Sequence, residues 1–150
     1  MRKFLLLLTP FLLTGCIKQS ASYYVSDARN HAISVRAEQE YVWSKHITLS
    51  IIAANLPACQ RAIALDKVHA DDIAVELFAS SDTLFAIRSG EQMVQFDMET
   101  CTELPTPAPT ALGNAVGVFR LGDGAKMQFE PAAGAPAAPA TPAPAPVPAQ

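Results

Sequence analysis

Motifs of the common catalytic, metal-binding and nucleotide-binding proteins are scarce in this sequence. Its 150 residues include three histidines, and none lies three to five residues from another, which is the spacing common in zinc sites. The Gly-x-Ser-x-Gly motif of α/β-hydrolases is missing, and so is the Cys-x-x-Cys pair that marks many redox-active thiols. No cofactor is therefore predicted, although a catalytic triad built from distant residues leaves no such motif.

Clusters of positive charge are also missing. The chain carries 11 Lys and Arg against 14 Asp and Glu, which gives a formal net charge of −3. Its basic residues are scattered singly, whereas a nucleic-acid-binding protein normally shows a basic patch or stripe. The sequence therefore predicts no nucleic-acid partner.

The apolar run at the N-terminus is short. Residues 4–13 are mostly apolar and follow two basic residues, Arg2 and Lys3. A membrane-spanning helix needs about 20 apolar residues, whereas a charged start followed by a shorter apolar run is typical of a secretory signal. We expect residues 1–15 to be an export signal that is removed from the mature protein.

The leader ends in Leu13-Thr14-Gly15-Cys16, which resembles the lipobox of bacterial lipoproteins. In that family the cysteine takes up a diacylglyceryl group, and the leader is then cleaved before it. The resemblance implies that Cys16 carries lipid and anchors the mature protein to a membrane, since two or three acyl chains bind stably. Ile17 stands where lipoproteins of the inner membrane of enteric bacteria usually have Asp, which implies delivery to the outer membrane, facing the periplasm. The alternative is an ordinary cleavage site with a chance cysteine.

Two further cysteines, Cys59 and Cys101, remain for the mature chain. Disulfides persist in the oxidising compartments that export reaches, so we predict that these two cysteines pair. Closing a loop of this size stabilises a fold by roughly 4 kcal/mol in the chain-entropy model. The alternative is two free thiols. The segments 56–61 and 96–101 are similar to those of proteobacterial lipoproteins of unknown function, and this resemblance supports the pairing.

One small β domain is predicted at residues 31–130, between a lipidated tether at 16–30 and an Ala/Pro-rich tail at 131–150. Apolar and polar residues alternate in the segments 33–43 and 47–53, which is typical of half-buried strands. The tail has no charge and no large side chain, so we expect it to be disordered or extended. It is long enough to enter peptidoglycan if it has a role.

Two turn signals indicate antiparallel hairpins, one at Ser89-Gly90 and one at Asp123-Gly124. We predict seven or eight short antiparallel strands that form a small sheet, a sandwich or a partly open barrel. The segment 56–66 is interpreted as a strand. A short helix there would instead make the fold α+β.

Aromatic residues gather near the start of the predicted domain. Tyr23 and Tyr24 are candidates for a partner surface. Tyr41 and Trp43 share the apolar face of the first predicted strand, so we expect them in the core. The alternative is an exposed aromatic patch.

Acidic residues and a histidine cluster at Asp66, His69, Asp71 and Asp72. They are weak candidates for a metal-binding loop, but the Gly and final Glu of a calcium loop are missing, which favours a solvated loop. An enzyme site built from His46 or His69 with nearby carboxylates is the competing hypothesis. The favoured interpretation is a non-catalytic, lipid-anchored envelope protein that binds another envelope protein or peptidoglycan, or supports an assembly.

Overall fold

The structure is a computed structural model that describes residues 18–41, 43–122 and 125–135, and most of these residues lie in eleven β-strands. The strands are Lys18–Tyr24 (β1), His31–Glu38 (β2), His46–Asn55 (β3), Cys59–Ala64 (β4), Val68–His69 (β5), Ala74–Ala79 (β6), Leu84–Ser89 (β7), Gln92–Asp97 (β8), Thr102–Leu104 (β9), Asn114–Gly122 (β10) and Lys126–Pro131 (β11). Short 3₁₀ turns lie at Ala70–Asp72 and Pro109–Ala111. The predicted mainly β class is confirmed. The described strands outnumber the predicted seven or eight because they include β1, which lies in the predicted tether, and the very short β5 and β9.

The strands form two antiparallel sheets. The first has the order β1-β2-β3-β4, with β5 also paired to β3. The second has the order β11-β10-β6-β7-β8-β9. Most neighbours in a sheet are consecutive in the chain, and β10 returns to pair with β6. The two sheets therefore form a small sandwich-like fold and no closed barrel.

Buried side chains of both sheets form one hydrophobic core. Its fully buried members include Ile33, Val35, Ile47, Leu49 and Ile51 of the first sheet, and Val75, Leu77, Ile87, Phe96 and Phe119 of the second. These residues occupy alternate positions along their strands because successive side chains of a strand point to opposite faces. The apolar alternation in the sequence thus identifies the inner faces of both sheets correctly.

The segment 56–66 contains strand β4, as predicted, and not a helix. Ser89 pairs with Gln92, so the hairpin turn is formed by Gly90 and Glu91, one residue later than predicted. Gly90 has a positive φ of 59°, a backbone conformation that glycine adopts at little cost. Asp123 and Gly124, the second predicted turn, lie outside the described residues.

A disulfide joins the edges of the two sheets. Cys59 begins β4 and Cys101 precedes β9, and their Sγ atoms are 2.01 Å apart with Cα atoms 5.9 Å apart. The same two strands carry Arg61 and Glu103, whose charged groups lie 3.8 Å apart. The two cysteines that the sequence analysis pairs thus join one edge strand of each sheet.

Part of the predicted tether at 16–30 is wrong, because Lys18–Tyr24 is the edge strand of the first sheet. This strand pairs with β2 from Lys18 opposite Glu38 to Tyr24 opposite Ala32. Tyr23 is only 8% exposed and belongs to the core. The segment has few apolar residues, so its sequence does not indicate a strand. It joins the sheet because it pairs with the backbone of β2 along its whole length.

The predicted tail at 131–150 also begins inside the domain. Pro131 ends β11, and the amide of Ala132 donates to the carbonyl of Val116 at 2.9 Å. The rest of the predicted tail, 136–150, lies outside the described residues, and so do the leader and Cys16. Within the described ranges, no helix is long and apolar enough to span a bilayer.

Candidate functional site

The antiparallel strands place the turns at two opposite ends of the domain. The end that we call the Lys18 end comprises Lys18, the turn 39–45 between β2 and β3, and the segment 65–72. The opposite end, called the cleft end, comprises the turns 25–30 and 80–83 and residues 132–135. Candidate functional features lie at both ends.

Tyr41 and Trp43 lie in the turn at the Lys18 end and are exposed, with 51% and 78% of their surface accessible. Their rings stack on each other, with centroids 5.5 Å apart and planes 11° apart. The prediction that they belong to the core is wrong. The reason is that β2 ends at Glu38, and beyond a strand end an apolar alternation no longer reports which face a residue occupies.

Hydrogen bonds hold this aromatic turn closed. The Gln39 side chain donates from Nε2 to the carbonyl of Ser44 at 2.6 Å, and the amide of Ser44 donates to the carbonyl of Tyr41 at 2.9 Å. Beside them, Lys67 Nζ lies 3.1 Å from Glu40 Oε2 and links the turn to the loop after β4. The two rings therefore project from a turn that is held by two hydrogen bonds and an ion pair.

Two histidines also meet at the Lys18 end. His46 of β3 pairs with His69 of β5, and their rings lie edge to face with centroids 6.0 Å apart. His69 Nδ1 is 3.3 Å from Asp71 Oδ2. Sequence spacing could not reveal this contact, because it depends on the pairing of a two-residue strand with a distant one.

Of the four weak candidates for a metal-binding loop, the fold brings only two side chains into contact. His69 contacts Asp71, whereas the Asp66 backbone amide donates to Gln92 Oε1 at 2.7 Å. Among the described residues, no three His, Cys, Asp or Glu side chains are grouped so that they could hold a metal ion. The geometry therefore assembles a histidine–aspartate pair and not a ligand set from Asp66, His69, Asp71 and Asp72.

A cleft of about 760 Å³ opens at the cleft end. Its lining contains Tyr23 and Phe85, whose ring centroids are 6.5 Å apart, and three polar side chains, Ser81, Asp82 and Asn114. The remaining lining is small and apolar, and consists of Val25, Ala79, Ala115, Val116 and residues 132–135. This volume is within the range of small-molecule sites.

The two tyrosines predicted as a partner surface have different positions. Tyr23 is buried between the sheets, and burial raises the pKa of its hydroxyl above 10.0. Tyr24 is half-buried on the other face of the same strand. Tyr23 therefore contributes to the core and to the cleft lining, and the pair does not form a shared exposed surface.

Comparison with known proteins gives no further guide to the site: no family model, no curated protein and no solved structure matches the chain.

Proposed function

We propose that the chain is a lipid-anchored, non-catalytic binding module of the bacterial cell envelope, with lipid at the Lys18 end and a ligand site at the cleft end. The observation that carries this proposal is the position of β1. This strand begins at Lys18, two residues after Cys16, and ends at Tyr24 beside the cleft. Its seven residues separate the two ends by about 20 Å.

The anchor is supported by the leader and by the cysteines. The lipobox-like sequence before Cys16 and the short apolar leader are those of an exported lipoprotein. The bond between Cys59 and Cys101 suits an oxidising compartment, where disulfides persist. Delivery to the outer membrane, with the domain in the periplasm, is part of this proposal.

The cleft supports a binding role. Its aromatic and small apolar lining suits a ligand with an apolar part, and the exposed Asp82 carboxylate offers an acceptor at the rim. Such a combination of apolar surface and a few polar groups is common in binding sites. We infer a ligand that has an apolar group and a hydrogen-bond donor or a positive charge, on another envelope component.

Fractionation of cells tests the anchor. Full-length protein should be recovered in the outer-membrane fraction, and the Cys16→Ser variant should leave it, because only the thiol of Cys16 can accept the diacylglyceryl group. The disulfide-forming cysteines stay unchanged in this variant and serve as a control for folding. Equal recovery of both proteins in the outer-membrane fraction would contradict the anchor.

Site-specific photocrosslinking tests the cleft. A photoreactive amino acid replaces Ala133, an exposed residue of the cleft lining, and a matched variant carries it at Gln60, an exposed position on β4. We expect a reproducible adduct of one defined mass from position 133 in intact cells and none from position 60. Equal adducts from both positions, or none from either, would contradict a ligand site in the cleft.

A further inference from the structure

We propose that the Tyr41–Trp43 turn inserts into the headgroup region of the membrane that holds the lipid on Cys16, so that the domain rests directly on the bilayer at its Lys18 end. This inference depends on the lipid anchor proposed above. It adds a second membrane contact, made by side chains, and it fixes the orientation of the domain.

The geometry places the lipid and the aromatic rings at the same end. Lys18 pairs with Glu38, and directly opposed residues of an antiparallel pair have Cα atoms about 5 Å apart. Cys16 precedes Lys18 by two residues, which span at most about 7 Å. Tyr41 follows Glu38 by three residues, which span at most about 10 Å. No flexible tether of useful length separates the lipid from the aromatic turn.

The chemistry of the two rings fits a membrane interface. Trp43 and Tyr41 are the most exposed large hydrophobic residues among those described, and they form one stacked pair. Tryptophan and tyrosine have an apolar ring with a polar N–H or O–H group, and they are enriched where the acyl chains meet water. Burying their apolar surface there is favourable because it removes that surface from water.

The charges at the Lys18 end are mixed. Lys18 and Lys45 are exposed there, and Asp66, Asp71 and Asp72 are exposed as well. Lys67 is paired with Glu40. Since neither sign of charge dominates, attraction to anionic lipids is not the main contribution to membrane binding. The contact should therefore depend on the aromatic rings and should persist when salt screens the charges.

Fluorescence tests this contact directly, because Trp43 is the single tryptophan of the chain. The mature lipidated protein is reconstituted into vesicles of phosphatidylethanolamine and phosphatidylglycerol. The free protein is the Cys16→Ser variant produced without residues 1–15, in buffer. We expect a blue shift of the emission in vesicles, loss of quenching by acrylamide, and quenching by lipids that carry bromine near the headgroup.

A matched control moves the tryptophan to the other end of the domain. Leu56, in the turn between β3 and β4, is 44% exposed. The lipidated double variant Trp43→Phe with Leu56→Trp should float with vesicles, and its emission and acrylamide quenching should match those of the same variant without lipid.

The outcomes separate this inference from the anchor. Protein that carries lipid on Cys16 and floats with vesicles, but whose Trp43 remains fully open to acrylamide, would overturn the inference and leave the anchor intact. Protein without lipid on Cys16 would overturn both. Shielding of Trp43 in native envelope membranes but not in pure lipid vesicles would assign the turn to a protein partner and overturn the membrane contact.

Discussion

The ring of Tyr23 lies against the ring of Phe129, with centroids 5.2 Å apart and planes inclined by 46°. Tyr23 belongs to β1 of the first sheet and Phe129 to β11 of the second. Phe129 in turn contacts Phe119, at 4.8 Å. This relationship ties the first strand of the domain to the core, so the segment that follows the predicted lipid attachment site contains a strand of the fold.

Replacing the two neighbouring tyrosines of β1 should have unequal effects. Tyr23→Ala removes a buried ring from between the sheets and should lower the free energy of unfolding by about 3 kcal/mol or more. Tyr24→Ala removes a half-buried ring on the other face and should cost much less. Urea unfolding of both variants measures this difference. Equal losses would indicate that β1 is not packed as described.

The disulfide should contribute strongly to stability. The two cysteines are 42 residues apart in the chain, and opening a loop of that size should cost about 4 kcal/mol in the chain-entropy model. The double variant Cys59→Ser with Cys101→Ser should unfold at a lower urea concentration, and wild type treated with reductant should behave in the same way. Free labelling of both thiols by an alkylating agent in the exported, unreduced protein would show that the bond does not form.

Gly117 of β10 should not tolerate a methyl group. A Cβ at this position would lie 2.4 Å from Phe129 Cζ and 2.5 Å from the carbonyl oxygen of Glu130. Gly117→Ala should therefore destabilise the domain by roughly 1–3 kcal/mol, the usual cost of overpacking. Gly122→Ala in the same strand is the matched control, since its Cβ would meet only the flexible Gln128 side chain, at 3.1 Å. A thermal shift of the same size in both variants would contradict this packing.

Asp97 should make stability depend on pH in the acid range. The amide of Thr100 donates to Asp97 Oδ1 at 2.9 Å, and the Thr100 hydroxyl does so at 3.0 Å. Mainly through the backbone bond, these contacts hold the pKa of Asp97 below its ordinary 3.8. A carboxylate with a lowered folded pKa stabilises the fold above its unfolded pKa, and this contribution is lost as pH falls through the folded value.

The variant Asp97→Asn should therefore be less stable than wild type at neutral pH, and the difference should narrow as the pH falls below 3.8 and through the lowered pKa of Asp97. Melting temperatures across this range measure it. Thr100→Val removes only the hydroxyl donor and should keep most of the pH dependence, because the backbone donor remains. A difference between wild type and Asp97→Asn that does not change with pH would refute the role of this carboxylate.

The inner faces of the sheets were predictable because burial imposes a period of two on Ile33, Val35, Ile47 and Leu49. The same period continues by chance to Tyr41 and Trp43, beyond the end of β2, where the chain turns away. Periodicity alone does not report where a strand ends, so these two rings were wrongly assigned to the core.

Strand β1 and the contacts of β5 could not be predicted from the sequence, for a different reason. The segment 18–24 has a polar sequence, and its place in the sheet depends on backbone hydrogen bonds to β2 and on one buried ring, Tyr23. The contact between His46 and His69 depends on a strand of two residues. Such long-range pairings leave little pattern in the local sequence. Cys59 and Cys101 could be paired from the sequence because they are the two cysteines that remain after Cys16.

Mass spectrometry of the N-terminal peptide of the mature protein tests the central claim of a lipid-anchored module most directly. We predict a peptide that begins at Cys16 and carries the mass of a diacylglyceryl group, and this mass should be absent from the Cys16→Ser variant. A mature protein that begins at another residue, or one in which Cys16 is an unmodified thiol, would contradict the account.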